Sequence, residues 1–205
     1  MSQGDRITLE TADKVVLALY QHWQLNPASV FVAGSVRRRV MTVGDIDLVA
    51  PAVSPNAQDP LYERIVTTVT NPPPRTSMFA PEIPQGTNAF CTAVRGLKPG
   101  FLGCDLTVSC WGGRCELKVQ ISRYTPQNVG WLMIEKTGPW NYGRWFLTRW
   151  KIAHGIPVGG NEKASIDNHL VGKDQKVIPV ATEDEAFRRC GLEVTPPHHR
   201  DAFIR

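Results

Sequence analysis

Apolar and polar residues in the first third of the chain follow the periods of helices and strands. Residues 8–24 have the spacing of an amphipathic helix. Short apolar runs at 30–33 and 45–50 predict two strands. Residues 60–69 predict a second helix, with Asp59 as its N-cap. We therefore expect the fold to begin with a helix, two strands and another helix.

A β-hairpin is predicted between residues 104 and 121, where apolar and polar side chains alternate with a period of two. We expect Gly112 and Gly113 to form a two-residue turn. In that register Asp105 lies opposite Gln120 on the polar face. The apolar face then carries Cys104, Leu106, Val108, Cys110, Cys115, Leu117, Val119 and Ile121.

The last third of the chain predicts a strand from Trp131 onward and then a helix. The helix begins near Pro139 and ends at about His154, because proline suits a first helical turn and Gly155 suits the position after the end. A short hairpin is predicted around residues 172–176. One broad side of the helix carries the apolar side chains of Trp145, Phe146, Trp150, Ile152 and Ala153.

Basic residues of this helix lie on two of its sides. Arg144 and Lys151 gather with Thr148 on the side opposite to the aromatic residues, whereas Arg149 projects from the middle of the aromatic side. Arg149 either packs its aliphatic stem on the tryptophans and extends its guanidinium to solvent, or points toward bound nucleic acid. The pattern alone favours the first interpretation.

Composition restricts the classes of function. The net charge of +4 permits binding to nucleic acid without arguing for it. The five cysteines lack paired spacing, so neither a disulfide framework nor a zinc site is indicated. No run of about 18 apolar residues occurs and residues 1–10 are polar, so we expect no membrane span and a cytoplasmic protein. Residues 71–85 contain five prolines and are predicted to be a loop of unassigned function.

The strongest chemical pattern is a Gly-Ser turn followed by two spaced carboxylates. Asp45 and Asp47 are two residues apart on a predicted strand, so both carboxylates lie on one face. Such a pair suits Mg²⁺, with Mn²⁺ as an alternative. Gly34 and Ser35 offer N–H groups and a hydroxyl to phosphate oxygens, and Arg38 can neutralise phosphate charge. Together these groups supply the positioning and charge neutralisation that phosphoryl transfer requires.

The order of these groups resembles the palm signature of the DNA polymerase X (polymerase β-like) family. That signature is Gly-Ser-x-Arg-Arg and then Gly-Asp-x-Asp followed by apolar residues. Residues 126–131 and 136–139 are similar to the family's palm-to-thumb passage, and residues 182–197 to its C-terminal thumb segment. The blocks follow the family's order from about residue 34 to residue 200. The small viral members of the family are the most similar in size.

This resemblance implies an α+β fold with two domains. Residues 1–135 would form a nucleotidyltransferase palm, with a mixed or antiparallel sheet and helices on one face, and residues 136–205 a small α/β thumb. Only about thirty residues precede Gly34, so we expect the family's N-terminal lyase and helix-hairpin-helix modules to be absent. The implied activity is two-metal transfer of dNMP from a dNTP to a DNA 3′ end in gap-filling repair, by a monomeric protein of the cytoplasm, or of the host cytoplasm for a virus or phage.

The resemblance also implies roles for individual residues. The metals would be held by Asp45 and Asp47. The nucleotide would be contacted by Gly34, Ser35, Arg38, Gly44, Lys136 and Gly138. The DNA would be contacted by Arg149, Arg144 and Lys151.

One position departs from the family pattern. The family places a third Asp on the strand before the palm-to-thumb passage, and counting back from Thr137 puts Gln120 at that place. A glutamine offers one neutral oxygen to a metal, but neither a base nor a negative charge. Asp105 faces Gln120 in the predicted register, which leaves two interpretations open. Asp105 is either a replacement catalytic carboxylate or an ordinary strand residue in a salt bridge.

Two other functions stay open for the chain. It could be a nucleotidyltransferase that acts on RNA, a protein or a small molecule, because other transferases also carry the Gly-Ser and Asp-x-Asp pattern. It could also be a module that binds nucleotide or DNA without turnover, because Gln120 replaces the third carboxylate.

Overall fold

A computed structural model describes residues 6–53, 59–70, 88–98, 101–110 and 113–204 of the chain, with side chains described at 6–53, 59–67, 102–103 and 116–202. The predicted proline-rich loop at 71–85 lies outside these ranges. The elements are, in chain order, β1 (Ile7–Thr8), α1 (Leu9–His22), β2 (Phe31–Val32), α2 (Gly34–Arg37), β3 (Thr42–Val43), β4 (Asp45–Pro51), α3 (Pro60–Thr70), β5 (Asn88–Lys98), β6 (Phe101–Cys110), β7 (Gly113–Tyr124), α4 (Val129–Thr137), α5 (Trp140–Ala153), β8 (Ser165–Ile166), β9 (His169–Leu170), α6 (Glu183–Arg189) and a 3₁₀ helix (Pro197–Ile204).

The chain divides into two compact units, Met1–Arg123 and Tyr124–Arg205. Helices and a sheet together confirm the predicted α+β class. The boundary lies before α4, whereas the predicted domain boundary at residue 135 falls inside that helix. Helix α4 belongs to the second unit because its residues Trp131 and Ile134 are buried in one core with those of α5.

Five strands form one sheet in the order β2-β4-β7-β6-β5. The pairs β2–β4, β5–β6 and β6–β7 are antiparallel. A separate antiparallel pair joins β1 to β3. This order makes β4 and β7 neighbours although they are far apart in sequence, and it brings the predicted Asp-x-Asp strand beside the strand that carries Gln120.

The two neighbouring strands β4 and β7 have one apolar and one polar face. Their apolar side chains are buried in a core with α1 and α3, and are those of Ile46, Leu48, Ala50, Leu117, Val119 and Ile121. Because successive side chains on a strand point to opposite faces, Asp45, Asp47 and Gln120 lie on the other face, where all three are partly exposed. Burial of the apolar set therefore determines which way the three polar groups point.

The β6–β7 hairpin is present, but its register differs from the predicted one. Asp105 pairs with Lys118 and Gly103 pairs with Gln120, so the prediction that Asp105 lies opposite Gln120 is wrong. The hairpin also closes differently, because Cys110 pairs with Gly113. A shift by two positions keeps every residue on its predicted face, so the apolar–polar alternation cannot distinguish the two registers.

Helix α4 occupies a segment that was predicted to be a strand. Its residues Trp131, Leu132, Met133 and Ile134 are all buried, so the segment is apolar on every side. A short continuous apolar run does not distinguish a buried strand from a buried helix. The predicted strand at this place is therefore wrong.

Helix α5 agrees with the prediction in its extent but not in its buried side. It ends before His154, and Gly155 follows with φ +64° as expected after a helix end. The residues that it buries are Tyr142, Gly143, Phe146 and Trp150. Trp145 is only half-buried and Ile152 is exposed, so the buried side is rotated away from the predicted one and Arg149 lies outside it.

A fully buried arginine connects the C-terminal 3₁₀ helix to the rest of the second unit. Arg200 lies 2.9 Å from Glu183 and donates to the carbonyl oxygen of Thr195 at 3.0 Å. Its guanidinium also lies 5.2 Å from the ring centre of Tyr142 in α5. These contacts attach the 3₁₀ helix to α5 and α6.

Among the described helices, none has both the length and the apolar character that crossing a membrane requires.

Asp59 has two roles in the first unit, of which the sequence predicted one. It caps α3 as predicted, accepting from the N–H groups of Leu61 at 3.0 Å and Tyr62 at 3.2 Å. It also forms an ion pair with Arg123 at the end of β7. The Arg123 side chain is 8% exposed and donates to the carbonyl oxygen of Pro51 at 3.1 Å. Asp59 therefore connects the start of α3 to the central sheet.

The ion pair predicts the effect of changing Asp59. Asp59→Asn keeps a good N-cap but leaves the Arg123 charge without its anionic partner, so we expect the free energy of unfolding to fall by about 1–3 kcal/mol. Asp59→Ala also removes the cap and costs about 1 kcal/mol more. Urea unfolding measures both, with the exposed Glu63→Gln in the same helix turn as the control. Equal stability of Asp59→Asn and the control would contradict the role of the ion pair.

Candidate active site

Gly34 brings the turn after β2 against the carboxylate of Asp47. Its φ is +61°, a conformation that disfavours any residue with a side chain. A Cβ at Gly34 would lie 2.9 Å from Cγ of Asp47 and would overlap the carboxylate itself. The N–H of Ala33 donates to the carbonyl oxygen of Asp47 at 2.8 Å, which holds the two segments together. Position 34 thus requires glycine both for its backbone and for its contact.

Ser35 adds a hydroxyl beside this contact. Its Oγ is buried and has no hydrogen-bond partner among the described residues. A buried hydroxyl without a partner costs about 1–3 kcal/mol. Native proteins keep few such groups, and an unsatisfied one calls for a specific explanation such as a functional role. Several other buried polar atoms among the described residues share this property, so the position of Ser35 next to the contact of Gly34 with Asp47 is what makes the Gly-Ser turn a candidate binding site.

Gln120 contacts the first of the two predicted metal ligands. Its Nε2 donates to Oδ2 of Asp45 at 3.3 Å. The amide nitrogen is the atom expected to face the carboxylate, because an amide oxygen there would place two acceptors against each other. The structure thus brings Gln120 to the Asp pair, as counting along the sequence predicted. Strands β4 and β7, which lie side by side in the sheet, supply the two residues.

The chemistry of the donors suits one hard divalent cation better than two. The two carboxylates of Asp45 and Asp47 are the oxygen ligands that Mg²⁺ or Mn²⁺ would share with phosphate. Among the side chains that the structure describes, no group of three His, Cys, Asp or Glu residues is placed to hold a metal. Gln120 adds a neutral oxygen donor only if its amide turns over.

The three successive arginines after the turn have different surroundings. Arg38 ends α2, and its N–H donates to the carbonyl oxygen of Gly34 at 3.2 Å. Its side chain is half-buried. Arg39 instead pairs with Asp13 of α1, with its Nη1 2.8 and 3.0 Å from the two carboxylate oxygens. The ion pair holds Arg39 to α1, whereas Arg38 directly follows α2.

The observed register does not place Asp105 opposite Gln120. The side chain of Asp105 lies outside the described side chains, but its backbone pairs with that of Lys118, and Gln120 is a diagonal neighbour along the strand pair. The register therefore gives no support to Asp105 as a replacement metal ligand.

Two predicted nucleotide-binding residues, Lys136 and Gly138, lie in the second unit. Each makes contacts within that unit that explain its presence without a nucleotide. Lys136 lies 3.6 Å from Glu135 in a half-exposed ion pair. Gly138 ends α4, and a Cβ there would lie 2.7 Å from Cδ1 of Tyr142 and 3.2 Å from the carbonyl oxygen of Ile134. The close packing of α4 on α5 is sufficient to require glycine at this position.

The predicted DNA-binding residues lie on α5, where two of them stack on tryptophans. The Arg144 guanidinium lies 4.5 Å from the ring centre of Trp140, which is 72% exposed. The Arg149 guanidinium lies 5.9 Å from the ring centre of Trp145. Arg149 is exposed, as expected if its stem packs on aromatic surface.

Lys151 completes the basic set on α5. It is half-buried and donates to the carbonyl oxygen of Pro157 at 3.3 Å. Helix α5 carries no acidic residue, so the charges of its three basic residues are not offset within the helix. Its exposed surface, with arginines next to indole rings, has the composition of surfaces that bind nucleic acid.

Sequence reasoning missed three of these features. The contact of Gly34 with Asp47 depends on how closely β2 and β4 pair, which no local pattern reveals. The exposed Trp140 was not singled out from the sequence, although its spacing of four from Arg144 could have indicated the stacked pair. The hydrogen bond from Gln120 to Asp45 depends on the strand order in the sheet.

A comparison of the chain with models of known protein families found no match, and a comparison with curated protein sequences found none either. The resemblance to the polymerase X family stays a prediction based on the residues that carry it. The case for function therefore depends on the geometry of the site.

The contact of Gly34 with Asp47 predicts a coupled effect of mutations. Gly34→Ala should lower the free energy of unfolding by about 2–4 kcal/mol, from backbone strain and overlap with the carboxylate. Gly44→Ala is the control, since a Cβ there meets only the Arg6 side chain at 3.9 Å. We expect it to change stability by less than about 0.5 kcal/mol.

A double mutant separates strain from overlap. In an Asp47→Ala background the carboxylate is gone, so Gly34→Ala should cost less than it does in the wild type. Urea unfolding of the four proteins measures the difference. Additive effects within about 0.5 kcal/mol would show that the contact contributes nothing.

Proposed function

We propose that the chain is a metal-dependent nucleotidyltransferase of the polymerase X type, which adds a nucleotide from a dNTP to a DNA 3′ end. The observation that carries the proposal is the Gly34–Ser35 turn packed on Asp47, with Asp45 on the same face of β4. The turn contacts Asp47, and such a contact is what a shared triphosphate and cation would require. Separate structural roles for the four residues would not require it.

The residues of the turn would bind the triphosphate. The Ser35 hydroxyl, buried and without a partner among the described residues, can donate to a phosphate oxygen. The absence of a side chain at Gly34 lets the backbone approach closely to such a ligand. Arg38 follows the turn and can neutralise phosphate charge through charge-assisted hydrogen bonds.

The polar face of the sheet would hold the cation and orient it. Asp45 and Asp47 would be its protein ligands, and when bound it would neutralise phosphate oxygens and fix their geometry. Gln120 holds Asp45 through its hydrogen bond, which limits the rotation of that carboxylate. The sheet that carries these residues, with α1 and α3 packed in one core behind it, would be the palm.

The acceptor would be DNA, because α5 offers a basic and aromatic surface. Arg144, Arg149 and Lys151 supply positive charge for phosphates, and Trp140 presents an exposed ring on which a base can stack. An acceptor that is a protein or small molecule would not require such a surface. The second unit would thus serve as the thumb.

A second candidate function is binding without turnover. The observation that favours it is the hydrogen bond from Gln120 to Asp45, because the family pattern has an acid at that position. A glutamine cannot take a proton from the primer hydroxyl. In that case nucleotide and DNA would still bind, and only the chemical step would be lost.

Nucleotide incorporation on a gapped DNA duplex, with Mg²⁺ and with Mn²⁺, tests the proposed activity. We expect incorporation by the wild type and a loss of at least about 100-fold in Asp45→Asn and Asp47→Asn, since the charge neutralisation by the cation is worth several kcal/mol. Glu116→Gln is the matched control, an exposed carboxylate on the same face of β7. It should retain full activity.

The outcomes separate the candidates. Binding of dNTP and DNA by a wild type that does not incorporate would support the second candidate. Incorporation that survives in either Asp variant would remove the role of the carboxylates. Incorporation on RNA with none on DNA would keep the chemistry but change the acceptor.

The salt dependence of DNA binding tests the α5 surface. If Arg144 and Lys151 contact phosphates, changing both to alanine should reduce the slope of log affinity against log salt by about 1.8, or about 0.9 for each contact. The control is Lys173→Ala with Lys176→Ala, which removes the same charge from exposed positions of the same unit. An equal change of slope in both double mutants would indicate a net-charge effect and contradict a specific surface.

A further inference from the structure

Gln120 contacts one carboxylate of the Asp pair without carrying a charge of its own. Its Nε2 donates to Oδ2 of Asp45 at 3.3 Å, so an N–H hydrogen lies against a carboxylate oxygen that would otherwise be a metal ligand. Glu116 and Lys118, the alternate residues before it on β7, are exposed.

We propose that Gln120 restricts this centre to a single tightly bound divalent cation, the one that accompanies the nucleotide, and weakens a second cation site at Asp45. This inference rests on the proposed function. Gln120 would then determine how many cations the centre binds tightly. Nucleotide binding would require only the tightly bound cation, and the chemical step would also require a cation at the weak site.

The charge count supports the restriction. Asp45 and Asp47 together supply two negative charges from the protein, and an acid at position 120 would raise this to three. A second cation next to the first would be repelled by it, and the protein would offer it only a neutral amide oxygen in return. Ligand charge is what tunes the affinity of such oxygen sites over orders of magnitude.

The amide also competes directly for the carboxylate. A cation at Oδ2 of Asp45 would have to displace the Gln120 N–H, and the amide would have to turn over to present its oxygen. Binding of a cation at the weak site therefore breaks the hydrogen bond between Gln120 and Asp45. An acid at position 120 would reverse both effects, because it adds charge and has no N–H.

The test counts cations and does not depend on catalysis. Mn²⁺ is titrated into the full chain with a non-hydrolysable dNTP analogue, and free Mn²⁺ is followed by electron paramagnetic resonance. We expect one tight site in the wild type, and two in Gln120→Asp and Gln120→Glu, with the second at least about tenfold tighter than in the wild type. The control is Gln21→Glu, which adds the same charge at an exposed position of α1 and should leave one site.

Three further results decide the inference. Two tight sites in the wild type would overturn it, and loss of one of them in Asp105→Asn would then identify Asp105 as the missing ligand. A single site in both Gln120 variants, with wild-type circular dichroism, would overturn it as well while leaving the proposed function intact. No Mn²⁺ site in the wild type or any variant would overturn both the inference and the proposed function.

Discussion

Asp47 lies against Gly34, and the α2 turn approaches β4 this closely only because position 34 has no side chain. The arrangement of the candidate site depends on this contact. The hydrogen bond from Ala33 to Asp47 fixes the distance between the two segments. The Ser35 hydroxyl, which follows Gly34 in the chain, is buried without a hydrogen-bond partner among the described residues, and that is costly unless a ligand satisfies it. A phosphate oxygen bound at the turn would satisfy it.

The second constraint is the alternation of side chains on the sheet. The core against α1 and α3 takes the apolar residues of β4 and β7, so the remaining residues of both strands share the opposite face. Asp45 and Gln120 meet there because β4 and β7 are neighbours. The same packing that stabilises the first unit therefore also positions the groups proposed for phosphoryl transfer, with a neutral side chain, that of Gln120, beside Asp45.

How much of this could be predicted depended on the range of the interactions. Helices α1, α3 and α5 and the faces of β4 and β7 follow from local periodicity, and Asp59 was recognised as a cap. Periodicity could not give the hairpin register, since a shift of two preserves every face. It also could not identify α4 as a helix, because that segment is buried on all sides. The contact of Gly34 with Asp47 depends on how β2 and β4 pair and was not predictable from the sequence. The resemblance placed Gln120 near the Asp pair, but its hydrogen bond to Asp45 depends on the strand order in the sheet.

The central claim is that the α2 turn and the Asp pair form one site for a triphosphate and its cation. Calorimetric titration of the wild type with a dNTP and with the matching dNMP, each with Mg²⁺ and with a chelator, measures this directly. The account predicts tight binding only for dNTP with Mg²⁺, because the β- and γ-phosphates and the cation share the ligands at Ser35, Asp45 and Asp47. Equal affinity for dNMP and dNTP, or dNTP binding that is unchanged by the chelator, would contradict it.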